Sequence, residues 1–352
     1  MTTLPPLFFS LPTMSPLDTV FPADSVEFCP HPSFADIFAC GTYQLEQPDS
    51  LPPSPDELDE DVAYPVVPRK QQRKGECLLL RAQTSDDGEQ LSLLHKTSLP
   101  AILDMKWYGT SSIDPTLAIA DSEGGITLHS LRDDEVGQRS LVVPGMKANQ
   151  FKLYSSLGSL IVSLSDGRLA LLQDDGGTGL TVTNSWSAHE YEPWIAAWNY
   201  WDTNVVYSGT SYLVAPSYDA QNRTRPLYSY DNTVRLFDAR KPLTPLTQAE
   251  VGGGAWRVKW HPSPTRQNDL LVACMHDGFK VVRFNFNGTG NVDLAAYNGA
   301  HPQQWEITAR FDEHESLAYG VDWSYAGEGG AEDDTLIASC SFYDHALQLW
   351  RG

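Results

Sequence analysis

The sequence predicts an all-β fold, a WD-repeat β-propeller with six recognisable blades. Short β-prone runs alternate with clusters of Gly, Asp, Asn and Pro, and no amphipathic helical pattern of useful length stands out. An apolar run that ends in an aromatic residue also recurs along the chain. The start-to-start spacing of the middle repeats is close to the ~40–45 residues of a WD blade. We therefore expect residues 1–352 to form a single ring of small sheets.

The first strand of each predicted blade is recognised by its final aromatic residue. The six runs are SVEFCPH, ILDMKWYG, NQFKLYSS, IAAWNYW, WRVKWHP and YGVDWSY. Apolar residues alternate along each run with the period of a β-strand, so the aromatic residues are expected in the core. They are Phe28, Trp107, Tyr154, Trp198, Trp260 and Trp323.

A second and a third strand follow in each repeat. The second is a run of small and β-branched residues, as in DLLVACMHDG, and the third begins just after a turn, as in FKVVRFNF. WD repeats place an aspartate at this turn, and Asp121, Asp166, Asp277 and Asp344 stand there. His189 and His314 stand where such repeats often keep a histidine bonded to that aspartate, so a structural role is favoured for both.

The two ends of the chain are predicted to meet. The last blade stops at its third strand, HALQLWRG, and an N-terminal strand around Leu7–Val20 is expected to supply the fourth and close the ring. Residues 46–75 are proline-rich and charged, which predicts a flexible insert within the first blade. Residues 326–334 predict a short acidic loop in the last blade.

Residues 205–240 are compressed relative to the other repeats. NVVYSG has the pattern of a second strand of one blade, whereas LYSYDNTVRLFDAR has that of the end of another. The intervening TSYLVAPSYDAQNRTRP matches no blade strand well. Two alternatives follow: a six-bladed ring, or a seventh blade of which part is absent.

Net charge and cysteine content limit the classes of protein to which the chain can belong. The net charge is −21, so direct binding of nucleic acid is not expected. The five cysteines include no CxxC pair and most lie in apolar runs, which predicts buried free thiols in a reducing compartment. The N-terminus has no basic region typical of a signal peptide, and no apolar run approaches the ~20 residues of a membrane span. We expect a cytoplasmic protein.

The common signatures of enzymes and cofactor sites are not found in the sequence. It contains no G-x-S-x-G elbow, no H-E-x-x-H helix and no P-loop. The glycine-rich DDGGTGL lies in a hairpin context, without the strand, turn and helix that a dinucleotide site needs. We expect no cofactor and no metal, and a nucleotide-dependent methyltransferase is a weak alternative.

Five clusters of polar and aromatic residues stand at predicted blade turns, and the four in the C-terminal half are unlike generic WD repeats. They are SAHEYEPWIAAWNYW, GGGAWRVKWHP, ACMHDGF, HESLAYGVDW and SCSFYDHALQLWRG. These strings resemble the WD-repeat diphthine methylesterases of the diphthamide pathway, and with ILDMKWYG and ACGTYQL the resemblance covers nearly the whole chain in order. The sequence departs from the family at 205–240, where the family carries two separate blades.

The resemblance implies hydrolysis of the methyl ester of methylated diphthine on elongation factor 2. The product, diphthine, is then ready for the final amidation of diphthamide synthesis. The implied partner is elongation factor 2, together with other proteins of the pathway. The alternative is a non-catalytic WD-repeat scaffold that binds proteins, because most propellers of this type do no chemistry.

Ester hydrolysis needs a general base and donors for the oxyanion, and these can be matched to turn residues. The catalytic candidates are His276, His345, Arg257 and Asp344, with either histidine as the base. The substrate also carries a trimethylammonium group, which suits aromatic faces near carboxylates. The substrate-binding candidates are His189, Glu192, Trp194, Gly253, Gly254, Trp256 and Tyr343. The glycines have an alternative role, since they permit a tight turn between blades.

Overall fold

The computed structural model describes most of the chain as strands and short turns. The described residues are 16–46, 72–85, 88–108, 115–132, 135–142, 153–156, 159–174, 180–193, 195–198, 206–209, 213–214, 224–228, 231–238, 245–285, 304–326 and 334–352. Apart from 3₁₀ turns at Pro32–Phe34 and Pro264–Arg266, the regular structure of these residues is all β-strand. The predicted all-β class is confirmed.

Twenty-seven strands follow one another along the described residues. In chain order they are β1 (Leu17–Asp18), β2 (Ala23–Phe28), β3 (Ile37–Thr42), β4 (Gln44–Leu45), β5 (Arg73–Ser85), β6 (Gly88–Pro100), β7 (Ile102–Tyr108), β8 (Thr116–Asp121), β9 (Gly125–Arg132), β10 (Glu135–Val142), β11 (Leu153–Ser156), β12 (Ser159–Ser163), β13 (Arg168–Asp174), β14 (Leu180–Ser187), β15 (Ile195–Trp198), β16 (Val206–Gly209), β17 (Leu213–Val214), β18 (Thr224–Tyr228), β19 (Thr233–Asp238), β20 (Pro245–Glu250), β21 (Arg257–Trp260), β22 (Asp269–Ala273), β23 (Phe279–Phe284), β24 (Trp305–Phe311), β25 (Ala318–Trp323), β26 (Leu336–Ser341) and β27 (Ala346–Arg351).

These strands pair into seven antiparallel sheets within the described ranges. Six sheets have four or five strands and follow the chain: β2 to β6, β7 to β10, β11 to β14, β17 to β20, β21 to β24, and β25 to β27 joined by β1. The remaining sheet has two strands, β15 and β16. Each of the six aromatic residues that mark a predicted first strand lies in the first strand of a sheet, namely β2, β7, β11, β15, β21 and β25.

The hydrophobic core lies between successive sheets, as expected for a propeller-like arrangement. One cluster joins β25–β27 to β2–β5, and others join β2–β6 to β7–β9, β7–β9 to β12–β14, β19–β20 to β21–β23, and β21–β24 to β25–β27. A smaller cluster links β12 and β13 to β15 and β16. Because the sheets between two such clusters are covered on both faces, their strands carry apolar residues on both sides.

The N-terminal segment pairs with the C-terminal sheet. In the antiparallel pair of β1 and β27, Leu17 lies opposite Leu347 and Asp18 opposite Ala346. The backbone N–H of Thr19 also donates to the carbonyl of His345 at 2.9 Å. The described strand is shorter than the predicted Leu7–Val20 segment, of which residues 7–15 lie outside the described residues.

The compressed segment contains strands that the sequence pattern did not reveal. TSYLVAPSYDAQNRTRP includes β17 and the first residues of β18, although it matched no blade strand. The chain thus passes from the second strand of the two-stranded sheet, β16, to the first strand of the next sheet, β17. The pattern was missed because β17 has only two residues and does not end in an aromatic residue.

The predicted insert at 46–75 emerges from the sheet that contains β2 and β3. Its residues 47–71 lie outside the described part of the chain, and so do 327–333 of the predicted acidic loop. The N–H of Glu46 donates to the carbonyl of Gln72 at 3.0 Å, so the two ends of the segment are adjacent. Arg73–Gly75 belong to β5.

All five cysteines lie in described positions, and they are buried and free of disulfides. Burial raises the pKa of the Cys77 and Cys274 thiols to about 12, so both stay protonated at neutral pH. Among the described residues there is no helix long and apolar enough to cross a membrane.

Candidate functional site

Charged side chains occupy the first strands of four sheets, next to the aromatic residue that ends each run. Glu27, Lys106, Lys259 and Asp322 come directly before Phe28, Trp107, Trp260 and Trp323. All four charged side chains are largely buried, with exposed fractions between 3% and 20%. They meet because the first strands of the sheets face one another. Lys259 Nζ lies 2.8 Å from Glu27 Oε2 and 3.4 Å from Asp322 Oδ1, and Lys106 also bonds Glu27.

A second layer of charges lies nearer the beginnings of the same strands. Arg257 Nη1 donates to Asp104 Oδ1 at 2.9 Å, and Arg257 Nη2 lies 4.0 Å from Asp24 Oδ2. Arg257 is on β21 and Asp104 on β7, whose sheets are not consecutive along the chain. Their contact therefore lies at the centre, where the first strands of several sheets converge. We call the seven residues of the two layers the charged centre: Asp24, Glu27, Asp104, Lys106, Arg257, Lys259 and Asp322.

The two layers favour ionised side chains despite their burial. Burial opposes the charged form of Arg257, yet Asp104, Asp24 and Glu27 outweigh it and raise the pKa of the guanidinium. Burial raises the pKa of Asp322 to about 6, against the lowering effect of Lys259. The pKa of Glu27 is lowered, because Lys106 and Lys259 more than offset its burial. Arg257 therefore stands at the centre as a permanent cation.

A group of aromatic side chains begins at the residue that precedes Arg257 in the sequence. Trp256, the neighbour of Arg257, stacks on Tyr319 with ring centroids 4.6 Å apart and planes at 20°. Tyr319 lies 4.9 Å from Phe342, which in turn lies 6.4 Å from Tyr43 and 5.0 Å from Tyr343. We call these five residues the aromatic wall. Tyr343 is 69% exposed, and the other four are half-buried.

Tyr43 of the aromatic wall has a cation over its ring, because the guanidinium of Arg73 lies 5.9 Å from the ring centroid. Burial is the largest cause of the raised pKa of Tyr43; Arg73 opposes it and Asp24 adds to it. Two of the residues involved are extra residues of β-bulges: the register skips Asp24 between Ala23 and Ser25, and skips Tyr319 between Ala318 and Gly320. Bulges redirect a side chain out of the regular alternation and are frequent next to active sites.

His276 lies on the turn between β22 and β23. The carbonyl of its neighbour Met275 accepts a hydrogen bond from the N–H of Ala318 at 2.8 Å, one residue before Tyr319. His276 itself is exposed. The same turn follows Ala273, which pairs with Arg257 in the ladder of β21 and β22. Of the two predicted bases, His276 is therefore the one on an element tied to both Arg257 and the aromatic wall.

His345 and Asp344 have other partners. The imidazole Nδ1 of His345 lies 3.9 Å from Asp18 Oδ1, and its carbonyl accepts from Thr19, so His345 faces the N-terminal strand. Asp344 accepts from the hydroxyl of Ser341 and, at 3.0 Å, from the N–H of Glu315. These bonds tie the turn before β27 to the connection that follows β24. The structure does not bring either residue together with Arg257.

Two histidines take part in hydrogen bonds between a connection and a second strand. The two ring nitrogens of His314 bond Ser341 and Ser339, the latter at 2.9 Å. His189 Nε2 lies 2.7 Å from the Ser208 hydroxyl of β16 in the same way. These contacts favour the structural alternative for His189 and His314. Burial lowers the pKa of His314 to about 4, so its imidazole is neutral at pH 7.

Some of the remaining predicted binding residues pack in the interior, and others belong to the aromatic wall. A Cβ on Gly253 would lie 1.9 Å from the carbonyl oxygen of Cys274, so this glycine permits close contact with the 274–277 turn. Gly254 is buried beside it. Glu192 lies on the connection before β15, half-buried, and Trp194 is outside the described residues. Trp256 and Tyr343 belong to the aromatic wall.

Sequence reasoning missed Asp24, Asp104 and most of the aromatic wall. A signal was present, because four runs carry a charged residue immediately before their aromatic residue, in the middle of otherwise apolar strands. A charge that recurs at one register of several buried strands predicts a shared polar centre. The bulges at Asp24 and Tyr319 gave no such signal, since they depend on how neighbouring strands pair.

Comparisons with known proteins agree with this fold and extend to its family. No protein-family model matches the chain. A chain in the crystal structure of the mitotic checkpoint complex shares the fold, with a TM-score of 0.60 and 10% identity over 100% of this chain and 99% of that one. Diphthine methyltransferase of Mus musculus is 31% identical over 90% of this chain and 70% of its own length.

Further relatives carry the same name. The Homo sapiens protein is 30% identical over 90% of this chain and 75% of its own length, and the Dictyostelium discoideum homolog is 27% identical over 94% and 96%. The chain therefore belongs to the diphthine methyltransferase family.

Proposed function

We propose that this protein hydrolyses the methyl ester of methylated diphthine on elongation factor 2, giving diphthine for the final amidation of diphthamide synthesis. The relatives are named for diphthine, which indicates the substrate class. The observation that carries the proposal is the position of Arg257, a buried cation fixed by Asp104 beside a half-exposed aromatic wall. A fixed positive charge next to an accessible surface is what an ester oxyanion requires.

Arg257 is the oxyanion donor in this proposal. Its guanidinium has five N–H donors, of which Nη1 donates to Asp104 while Nη2 lies 4.0 Å from Asp24, and its charge does not depend on pH near neutrality. The predicted glycine run is a weaker donor candidate, since Gly253 packs directly on the Cys274 carbonyl. Cys274 is excluded as a nucleophile because burial raises its pKa to about 12.

His276 is the general base in this proposal. Water attacks the ester carbonyl carbon while the imidazole of His276 takes one proton from it, and the carbonyl oxygen gains the negative charge beside Arg257. The tetrahedral intermediate then collapses, the bond to the methoxy oxygen breaks, and that oxygen leaves with the proton as methanol. The acid that forms loses its proton to solvent, so the products are the diphthine carboxylate, methanol and one proton. Asp344 and His345 keep structural roles in the turn before β27.

We also propose that the sheets form a seven-bladed ring that β1 closes. Pairing of β1 with β27 supports closure, and the two-stranded sheet of β15 and β16 supports a blade that lacks its outer half. The active part of the ring lies elsewhere, on the sheets that contain β2, β7, β21 and β25. A reduced blade is thus compatible with an intact site. The five buried free thiols support a cytoplasmic location, where elongation factor 2 is modified.

The test uses purified protein and elongation factor 2 that carries methylated diphthine. Mass spectrometry of the modified peptide is expected to show the loss of one methylene unit, and methanol is expected in equal amount. Arg257→Lys and His276→Gln are expected to abolish most of the turnover, whereas Asp166→Asn, at an exposed turn, is the matched control. Stable binding of the factor without turnover by any preparation would favour the non-catalytic scaffold and overturn the proposal. A gain of mass in the presence of a methyl donor would show that the protein adds a methyl group, and this would overturn the proposed hydrolysis.

A further inference from the structure

The side chain of Lys280, on β23, is buried outside the charged centre. It is 1% exposed, and its Nζ donates to the carbonyl of Val251, to the carbonyl of Asp277 at 2.9 Å and to Asp277 Oδ2 at 2.6 Å. These three acceptors match the three N–H donors of an ammonium group. Burial of such a group is costly unless its donors are bonded, so the lysine is held firmly against both partners.

The two partners of Lys280 belong to the segments that carry the proposed oxyanion donor and the proposed base. Val251 begins the connection that leads through three glycines to Arg257 on β21. Asp277 lies on the turn between β22 and β23 and directly follows His276. One buried ammonium group therefore joins the connection before Arg257 to the turn of His276.

The connection and the turn pack directly on each other because glycines stand where they meet. A Cβ on Gly252 would lie 1.8 Å from Asp277 Oδ2, and a Cβ on Gly253 would lie 1.9 Å from the carbonyl oxygen of Cys274. Gly252 also has a φ of +82°, which favours glycine. No side chain separates the two segments at these positions, so backbone contact and the bonds of Lys280 set their distance.

The turn that carries His276 has a backbone conformation that needs support from its surroundings. Met275 has a φ of +37°, in the left-handed region that residues other than glycine rarely adopt. The turn is closed by two hydrogen bonds of 2.8 Å, from the N–H of Asp277 to the Cys274 carbonyl and from the N–H of Cys274 to the Gly278 carbonyl. Strained backbone of this kind persists only where neighbouring groups determine it, and it is frequent at active sites.

We infer that Lys280 is a positioning residue, which holds the turn of His276 in place relative to the segment of Arg257. The inference rests on the proposed function, because these two residues are the base and the oxyanion donor of that reaction. Asp277 has a second cationic partner, Arg310, which is 42% exposed and bonds Oδ1. Loss of the Lys280 ammonium therefore leaves the carboxylate paired, and what disappears is the link to the Val251 carbonyl.

The test measures ester hydrolysis on methylated elongation factor 2 by Lys280→Met, which keeps an unbranched side chain and removes the donors. A displacement of about 1 Å at a catalytic group lowers the rate by about 10²-fold, so kcat is expected to fall by about 10- to 100-fold with little change in KM. Lys280→Gln retains donors on a shorter side chain and is expected to keep part of the lost kcat. Unchanged kcat in folded Lys280→Met would overturn the inference.

Arg266→Met is the matched control for the loss of a buried cation. Arg266 is 5% exposed and bonds Asp269 at 2.8 Å and the carbonyl of Gly352 at 3.0 Å. It lies between β21 and β22, at the end of these strands opposite to the turn of His276. Thermal unfolding is expected to show a loss of stability in both variants, whereas kcat should fall only in Lys280→Met. Equal losses of kcat in the two variants would contradict a positioning role.

A measurement without substrate separates this inference from the proposed hydrolysis. The imidazole C–H resonance of His276, assigned by its absence in His276→Gln, reports the surroundings of the ring. It is expected to shift or broaden in Lys280→Met and to stay in place in Arg266→Met. If it does so and no preparation hydrolyses the ester, Lys280 positions the turn and the proposed hydrolysis is wrong. If the ester is hydrolysed and neither kcat nor the resonance changes in Lys280→Met, the hydrolysis stands and the positioning role is wrong.

Discussion

Arg257 Nη1 donates to Asp104 Oδ1 at 2.9 Å and joins two first strands whose paired residues are 153 positions apart in the sequence. Both side chains are less than 10% exposed. A buried pair of this kind adds little net stability over apolar packing, but the loss of one partner leaves an uncompensated charge. The pair is therefore a sensitive indicator of whether the centre is assembled.

Asp104→Asn is expected to lower the free energy of unfolding by about 3–5 kcal/mol, because Arg257 is left buried without its nearest carboxylate. Urea unfolding followed by tryptophan fluorescence measures the change. Asp166→Asn is the control, since its pair with Arg168 is exposed and is expected to contribute less than about 1 kcal/mol. Equal effects of the two substitutions would contradict the assignment of a buried centre.

Arg257→Lys is expected to lower kcat/KM for the ester by about 10²- to 10³-fold while the protein remains folded. Lysine keeps the charge for Asp104, but it has neither the reach nor the planar set of donors that arginine offers to the oxyanion. Single-turnover assays on methylated elongation factor 2 measure this effect. A variant with normal turnover would show that another group stabilises the oxyanion.

His276→Gln is expected to reduce turnover by about 10²- to 10⁴-fold, because glutamine cannot take a proton from the attacking water. The glutamine retains hydrogen bonding at this exposed turn, so stability should change little. His95→Gln, at an exposed position of the outer strand β6, serves as the control. Retention of the rate in His276→Gln would rule out this histidine as the base.

Stability is expected to fall as the pH is lowered from about 6.5 to 4. Burial lowers the pKa of His129, His261 and His314 from 6.5 to about 4, so in this window the unfolded chain binds more protons than the folded one. Each histidine changes the free energy of unfolding by up to about 1.4 kcal/mol per pH unit in this window. Its stabilising contribution is complete above pH 6.5. Asp322 acts in the opposite direction, because burial raises its pKa to about 6 and the folded chain binds that proton first.

Urea midpoints at several pH values check this trend. His314→Gln is expected to reduce the dependence of the unfolding free energy on pH by about a third of the histidine contribution. His129→Gln gives a second, independent measure. A stability that rises on acidification over the same range would show that Asp322 and other carboxylates dominate.

Removal of residues 1–18 is expected to destabilise the protein by several kcal/mol, since it exposes the edge of β27 and removes Leu17 from the core cluster of the first and last sheets. Replacement of residues 48–70 by a short glycine linker should change the unfolding midpoint little, because Glu46 and Gln72 are already hydrogen-bonded. Thermal unfolding of the two deletion variants compares them directly. Tolerance of the first deletion would contradict closure by β1.

The sequence alone predicted the repeat, because a strand that is covered on both faces and ends in a bulky aromatic residue leaves a periodic pattern. Phe28, Trp107 and Trp323 all lie in first strands as expected, and the turn aspartates such as Asp121 accept the hydrogen bonds of their turns. The sequence also pointed to Arg257, Trp256 and His276 through motifs near the turns. It gave little indication of β17, where two residues are too few for any period.

Only the tertiary structure decided which of these residues meet. Arg257 reaches Asp104, and Trp256 reaches Tyr319, because strands far apart in the sequence converge at the centre. His345 and Asp344 stand in a motif as suggestive as that of His276, yet pairing of β1 with β27 and the bonds to Ser341 direct them elsewhere. Periodicity records which face of a strand is buried, whereas the partner across the ring depends on the registers, bulges and convergence of strands that no local pattern encodes.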